Sequence, residues 1–133
     1  MPKQDAAAKA APSGKKRLLI VEDERPLAHA LELKMTREGY DVTVALTGSQ
    51  GLEQASKGDF SLILLDLIMP ELDGFTLLKT IRDKGMNTPA IVLSNLGQDE
   101  DRAKAAALGV KEYFVKANTP IVDIVAKVKE ILS

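Results

Sequence analysis

The sequence predicts an α/β fold, a doubly wound parallel sheet that carries helices on both faces. Five short apolar runs alternate with five amphipathic segments over residues 17–133. The runs are nearly continuous in apolar residues, which indicates strands that are buried on both faces. The connections are short, and this alternation is typical of strand–helix pairs that build a single parallel sheet.

The first two strand–helix pairs precede residue 59. RLLIVE, rich in branched side chains, is the first strand. RPLAHALELKMTREG is the first helix, with Leu27, Leu31 and Met35 on one face. DVTVA alternates as the second strand, and GSQGLEQASKG makes a short second helix. The second strand ends in VALTG and brings no ionisable group to its end. This fits a position at the edge of the sheet, away from the site.

The third and fourth pairs repeat this plan. SLILLD is a strand that ends at Asp66, and DGFTLLKTIRDKG is a helix with Phe75, Leu78 and Ile81 as its apolar side. PAIVLS is the fourth strand and ends at Ser94. QDEDRAKAAALG is the fourth helix, and its acidic residues lie in the first turn, where the helix dipole favours them.

The fifth pair consists of the strand EYFV and the helix TPIVDIVAKVKEIL. Thr119 is a plausible N-cap of this helix, because its hydroxyl can accept a hydrogen bond from a free amide. Pro120 suits the first helical position, where no amide donor is needed. The sequence therefore predicts five parallel strands, with any site at their carboxyl ends.

Composition limits the classes of function. The chain has 133 residues, 45% of them hydrophobic and 28% charged, which suits one globular domain. The net charge is −1, but five basic residues near the start face only one acid, so the remainder is net acidic. A net acidic body argues against binding of nucleic acid. We interpret residues 1–16 as a flexible tail and residues 17–133 as the folded domain.

Missing residue types and segments set further limits. The chain has no cysteine, which excludes disulfides and thiolate metal sites and fits a reducing compartment. No apolar run approaches the roughly 20 residues needed to cross a bilayer. The first residues also lack the hydrophobic segment of a signal peptide. We therefore expect a cytoplasmic protein that makes no membrane contact.

Polar residues stand at the ends of four of the five predicted strands. Glu22 and Asp23 follow the first strand, and Asp66 follows the third. Ser94 ends the fourth strand, and Lys116 follows the fifth. Because the carboxyl ends of parallel strands lie at one edge of a sheet, we expect these side chains to converge.

This combination of side chains has a chemical logic. Crowded carboxylates repel one another when ionised, unless a cation lies between them. Oxygen ligands without histidine or cysteine suit Mg²⁺, which is usually held by one or two carboxylates together with phosphate oxygens. An ammonium group and a hydroxyl can stabilise the oxygens of a transferring phosphoryl group. The remaining carboxylate can act as a nucleophile that forms an acyl phosphate.

Four motifs carry a family resemblance. LLIVEDE, LILLDLIMPELDG, AIVLS and YFVK, in this order, resemble the CheY-like receiver domain of bacterial response regulators in two-component signalling. The resemblance covers residues 17–132. It implies a flavodoxin-like (βα)5 sandwich with the sheet order 2-1-3-4-5.

The resemblance also implies roles for the acidic residues. Asp66 is similar to the phospho-accepting aspartate of the family. Asp23 resembles the direct Mg²⁺ ligand, with Glu22 assisting through water. The backbone carbonyl of Ile68 matches the third protein ligand of the metal. Pro70 and Gly74 shape the loop after Asp66.

Three further residues resemble the switch and the phosphate-binding group of the family. Ser94 resembles the hydroxyl that hydrogen-bonds the phosphate, and Tyr113 the aromatic residue that swings inward when the hydroxyl moves. Lys116 resembles the lysine that pairs with the phosphate. Ala117 stands where the family usually has proline, often after a cis bond, and we expect a trans bond here because a non-proline cis bond costs about 2.5–4 kcal/mol.

Two other departures concern the surroundings of the phosphate. Asn95 follows Ser94 where a very small residue is common, so its side chain could crowd the phosphate or a partner. Ile68 and Leu96 are apolar and offer nothing to orient a hydrolytic water, so we expect slow self-dephosphorylation.

The leading interpretation is a signalling switch, not an enzyme with an external substrate. A sensor histidine kinase or phosphotransfer protein donates to Asp66, and the face of the fourth helix, fifth strand and fifth helix changes its preference for a downstream protein. The chain ends at Ser133, so we expect either a protein that acts alone or a fragment of a longer regulator.

Other interpretations stay open. One is a receiver-like interaction module that works without phosphorylation, which Asn95 and Ala117 keep possible. A weaker one is an aspartate-based phosphatase, which lacks a general acid because Ile68 stands two residues after Asp66. Glu24 is well explained as an acid at the start of a helix, and His29 as a surface residue.

Overall fold

The computed structural model describes residues 14–133, and the regular elements alternate as the sequence predicts. The strands are β1 (Arg17–Val21), β2 (Asp41–Ala45), β3 (Leu62–Leu65), β4 (Ala90–Ser94) and β5 (Val110–Val115). The helices are α1 (Arg25–Arg37), α2 (Gly48–Lys57), α3 (Gly74–Asp83), α4 (Asp99–Ala107) and α5 (Ile121–Leu132), with a 3₁₀ helix at Lys116–Asn118. Most of the predicted tail, residues 1–13, lies outside the described residues.

All five strands are parallel, in the order β2-β1-β3-β4-β5. The predicted sheet order is therefore confirmed, as is the edge position of β2. Val21 at the end of β1 pairs with Leu65 at the end of β3. This register places Glu22 and Asp66, the residues that follow, side by side at the carboxyl edge.

Both faces of the sheet are covered by apolar clusters. Side chains alternate along β1, so that Leu19 lies in the cluster beneath α2, α3 and α4, and Leu18 in the cluster beneath α1 and α5. Residues of β3 divide in the same way. Burial on both faces explains the nearly continuous apolar runs in the sequence. None of the helices within residues 14–133 has the length and apolar character needed to cross a membrane.

Two predicted details of the helices differ from the structure. Thr119 is not the N-cap of α5, because Pro120 holds that position and the helix begins at Ile121. The 3₁₀ turn after β5 brings the Thr119 hydroxyl to the Val115 carbonyl, to which it donates a hydrogen bond of 2.8 Å. In α3 the apolar side includes Leu77, which is fully buried.

Glycine allows α3 to begin directly against the strand end that carries Asp66. A Cβ atom on Gly74 would overlap the carbonyl oxygen of Asp66 and crowd the Cα atom of Leu67. The amide of Gly74 donates a hydrogen bond of 3.0 Å to the Leu67 carbonyl. Because Gly74 has no side chain, the loop after β3 can approach the Asp66 backbone this closely.

Candidate functional site

Three carboxylates meet at the carboxyl edge of the sheet. Glu22, Asp23 and Asp66 each place one oxygen so that the three atoms lie within 4.8 Å of one another. Glu22 and Asp66 are buried, and Asp23 is half-buried. Backbone hydrogen bonding brings Glu22 and Asp66 together. The Asp66 amide donates a hydrogen bond of 3.0 Å to the Val21 carbonyl, which continues the pairing of β1 with β3.

The ammonium group of Lys116 lies among carboxylates at this edge. Its Nζ atom is 2.9 Å from Asp66 Oδ2, 2.9 Å from Glu22 Oε1 and 2.6 Å from Glu24 Oε2. Only 9% of the Lys116 side chain is exposed. Burial lowers the pKa of Lys116, but the hydrogen bonds to Asp66, Glu24 and Glu22 outweigh it and raise that pKa overall. The lysine is therefore charged.

The Lys116–Ala117 peptide bond is trans, as expected, since residues 14–133 contain no cis bond. The backbone turns into the 3₁₀ helix directly at Lys116. Ala117 is exposed and does not enter the site. The lysine reaches Asp66 with a trans bond before Ala117.

Both oxygens of Asp66 have hydrogen-bond partners. Oδ1 accepts from the Ile68 amide at 3.1 Å, and Oδ2 accepts from Lys116. The short turn from Asp66 to Ile68 fixes the orientation of the carboxylate, with one oxygen held by the backbone and one by a cation. A carboxylate held in this way has a fixed orientation within the acidic cluster.

The surroundings of Glu22 act on its charge in opposite directions. Burial raises the pKa of Glu22 above its usual value, and the nearby Asp66 adds to the rise. The amide of Glu24 and the ammonium of Lys116 act in the opposite direction, since both donate hydrogen bonds to its carboxylate. An additional cation at this edge would favour the ionised form of Glu22.

The donor set of this cluster fits Mg²⁺. The three side chains offer only carboxylate oxygens, and their spacing allows them to share one ion. Hard oxygen donors without histidine or cysteine are the ligands that Mg²⁺ prefers. A ligand role for the Ile68 carbonyl stays a prediction.

Ser94 and Tyr113 are joined through the backbone of Leu96. The Ser94 hydroxyl oxygen, fully buried, accepts a hydrogen bond of 3.3 Å from the Leu96 amide. The Tyr113 hydroxyl donates a hydrogen bond to the Leu96 carbonyl. Tyr113 is itself buried, with the guanidinium carbon of Arg102 4.9 Å from its ring centroid. The aromatic side chain therefore points inward in this structure.

An apolar groove lies on the α3–α4 side of the site. Ile68 has 52% of its surface exposed there, and Leu96 is half-buried on the same groove. The groove has a volume of about 340 Å³ and also includes Phe75, over which the Lys104 ammonium lies 4.3 Å from the ring centroid. Asn95 is exposed at the loop after β4. Ile68 and Leu96 thus line the same groove.

Glu24 is the site residue that sequence reasoning missed. It occupies the N-cap position of α1, but its side chain makes no capping hydrogen bond. Its carboxylate instead bonds to Lys116, 92 residues away in the sequence. The only signal in the sequence was its place two residues after Glu22. His29, by contrast, is a surface residue as expected, 70% exposed and 3.9 Å from Glu32.

Comparisons with known proteins identify the family of this chain. The family model described as response regulator receiver domain matches residues 18–129. The transcriptional regulatory protein DltR of Streptococcus agalactiae is 38% identical over 100 residues, which cover 75% of this chain and 45% of DltR. The chain spans about half the length, or less, of such curated relatives.

Solved structures show the same architecture. The receiver domain of the Francisella response regulator 1452 superposes with a TM-score of 0.82 at 30% identity, covering 88% of this chain and 96% of that one. The response regulator TrrA of Thermotoga maritima, solved in complex with Mg²⁺ and BeF, superposes with a TM-score of 0.76 at 28% identity. That superposition covers 87% of this chain and 98% of TrrA.

Proposed function

This chain belongs to the response regulator receiver domain family, and on that premise we propose that it is a phosphorylation-dependent switch in which Asp66 accepts the phosphoryl group. One observation carries the proposal. Asp66 lies 2.9 Å from the Lys116 ammonium and shares a cluster with the Glu22 and Asp23 carboxylates. A nucleophilic carboxylate, a cation and a further pair of oxygen ligands are the parts that phosphoryl transfer to aspartate requires.

In the proposed reaction, a carboxylate oxygen of Asp66 attacks the phosphorus atom of a phosphohistidine. A P–O bond forms while the P–N bond breaks, and the electron pair of that bond stays on the imidazole nitrogen. The donor is a sensor histidine kinase or a phosphotransfer protein. Lys116 donates a hydrogen bond to a phosphoryl oxygen and so stabilises the negative charge in the transition state.

Mg²⁺ is the proposed cofactor. Asp23 and Asp66 would hold it directly, Glu22 through water, and Ile68 by its backbone carbonyl. When bound, the ion neutralises charge on the phosphoryl oxygens. The related TrrA was solved with Mg²⁺ and BeF, which supports the same chemistry in this chain.

The switch follows from the contacts of Leu96. A Ser94 hydroxyl that turns toward the phosphoryl group gives up its hydrogen bond with the Leu96 amide. Tyr113 is bonded to the carbonyl of the same residue, so a shift of Leu96 changes the tyrosine as well. We propose that this shift alters the face of α4, β5 and α5 and thereby its affinity for a downstream protein.

The proposal includes a cellular setting. Relatives such as DltR are transcriptional regulators more than twice as long as the matched region. The described residues themselves have no expected contact with nucleic acid or membrane, so the output passes through another protein or another part of a longer regulator. A cytoplasmic location is consistent with a chain that lacks cysteine.

Exposure to a small phosphodonor tests the function. The chain is incubated with acetyl phosphate and Mg²⁺, and its intact mass is measured. We expect a single phosphate adduct that is lost at alkaline pH and is absent in Asp66→Asn. Asp83→Asn is the matched control, because it removes an exposed acid that pairs with the surface lysine Lys79. No adduct in the parent chain would favour an interaction module that works without phosphorylation.

A further inference from the structure

Glu24 contributes to the site through Lys116. We infer that Glu24 is a positioning residue, whose carboxylate holds the Lys116 ammonium in line with the phosphoryl group on Asp66. The inference rests on the proposed function of Asp66 and deepens it. It gives a role to a residue whose sequence position is explained equally well by the start of a helix.

The geometry at the ammonium carries this inference. Lys116 Nζ lies 2.6 Å from Glu24 Oε2, a shorter distance than those to Asp66 and Glu22. An ammonium group has three N–H donors, and three carboxylates surround it here. Each carboxylate therefore takes one donor, and the one aimed at Asp66 points to where a phosphoryl oxygen would lie.

Glu22 cannot hold the lysine alone. Its carboxylate also belongs to the cluster that fits Mg²⁺, so it would serve both Lys116 and a bound ion. Glu24 lies outside that cluster and is 56% exposed. It is therefore the one of the three carboxylates around Lys116 that does not belong to the proposed metal site.

The backbones of Lys116 and Glu24 are held in different ways. Lys116 begins a 3₁₀ turn, and its carbonyl accepts a long hydrogen bond of 3.4 Å from the Thr119 amide. Ala117, the next residue, is exposed to solvent. The amide of Glu24, in contrast, is fixed by a 2.9 Å hydrogen bond to Glu22 Oε2. The backbone of Glu24 is thus held at the site, and its carboxylate lies 2.6 Å from the Lys116 ammonium.

The test compares Glu24→Gln with the parent chain. We expect adduct formation from acetyl phosphate with saturating Mg²⁺ to slow by about two- to fivefold, the size of effect that exposed ion pairs give. In a Lys116→Met background, Glu24→Gln should change the rate no further, because its effect passes through the lysine. Glu38→Gln, which removes an equal charge beside Lys129 on the surface, serves as the control.

A second readout does not depend on turnover. The side-chain nitrogen resonance of Lys116, assigned with Lys116→Met, should be sharp in the parent chain and broadened in Glu24→Gln, because the ammonium loses one of its partners. An equal slowing in the Lys116→Met background, or an unchanged rate and resonance in Glu24→Gln, overturns the inference. A parent chain that takes no phosphate instead overturns the proposed function, and the inference with it.

Discussion

Lys116 Nζ lies 2.9 Å from Asp66 Oδ2, although the two residues are 50 positions apart in the sequence. The contact joins the end of β5 to the end of β3, across the intervening strand β4. It places a buried cation against the carboxylate that we propose as the phosphate acceptor. The expected effects of changing this site follow from that pair.

Loss of the ammonium should destabilise the fold. Lys116→Met leaves the buried Glu22 and Asp66 carboxylates without their cation, and we expect a loss of about 3 kcal/mol in the free energy of unfolding. Urea denaturation measures this loss. Lys79→Met removes an exposed lysine from its pair with Asp83 and should change stability by less than about 1 kcal/mol.

Magnesium should stabilise the Lys116→Met variant more than the parent chain. The ammonium and the metal share the carboxylates Glu22 and Asp66, so the ion binds without competition once the ammonium is gone. Unfolding transitions with and without Mg²⁺ give the comparison. Equal stabilisation of both chains would show that the lysine and the metal do not compete.

A methyl group at Gly74 should disturb Asp66 directly. The Cβ atom of Gly74→Ala would overlap the Asp66 carbonyl, so the strand end must move, at a cost of about 1–3 kcal/mol. The free energy of unfolding should fall, and adduct formation should slow. Gly39→Ala is the control, because its φ of 98° also strains an alanine but its Cβ would meet open space far from the site. Only stability should fall there.

An amide at position 68 should speed the loss of phosphate. Ile68 is half-exposed beside Asp66, and Ile68→Asn supplies a polar group that can orient a hydrolytic water. The half-life of the phosphorylated chain measures the effect. Leu33→Asn makes the same kind of change at a residue of α1 that is 44% exposed and should leave the half-life unchanged. An equal or longer half-life for Ile68→Asn would count against the prediction.

Both tyrosines should titrate with a pKa above the ordinary value of 10.0. Burial raises the pKa of Tyr113, with a further rise from Asp101, and burial also raises the pKa of Tyr40. Because the folded state holds these protons more tightly, their contribution to stability is complete below pH 10 and is lost as the pH rises beyond it. The chain has two tyrosines and no tryptophan, so near-ultraviolet absorbance follows both, and Tyr113→Phe isolates Tyr40. Titration of either at its ordinary pKa would contradict the prediction.

The fold and the meeting of the strand-end residues could be predicted because both depend on backbone direction. Parallel strands end at one edge, so Asp66 and Glu22 had to be neighbours once the strands and their order were known. The family resemblance, which the matching family model confirms, supplied that order. Periodicity and chain direction carry this level of detail without any knowledge of side-chain conformation.

The missed features depend on side-chain conformation and on local turns. The contact of Glu24 with Lys116 joins the 3₁₀ turn after β5 to the residue before α1, and no local sequence pattern predicts it. The hydrogen bond from the Tyr113 hydroxyl to the Leu96 carbonyl is another contact of this kind. Thr119 fails as an N-cap because a 3₁₀ turn shifts the helix start by one residue.

Chemical trapping of the acyl phosphate tests the central claim most directly. Borohydride reduces an aspartyl phosphate to homoserine, so the chain is treated with acetyl phosphate and Mg²⁺, reduced, digested and mapped by mass spectrometry. The account predicts homoserine at position 66 and unchanged aspartates at positions 23 and 73. Homoserine at another position, or an unmodified Asp66 in a chain that carries phosphate, would contradict it.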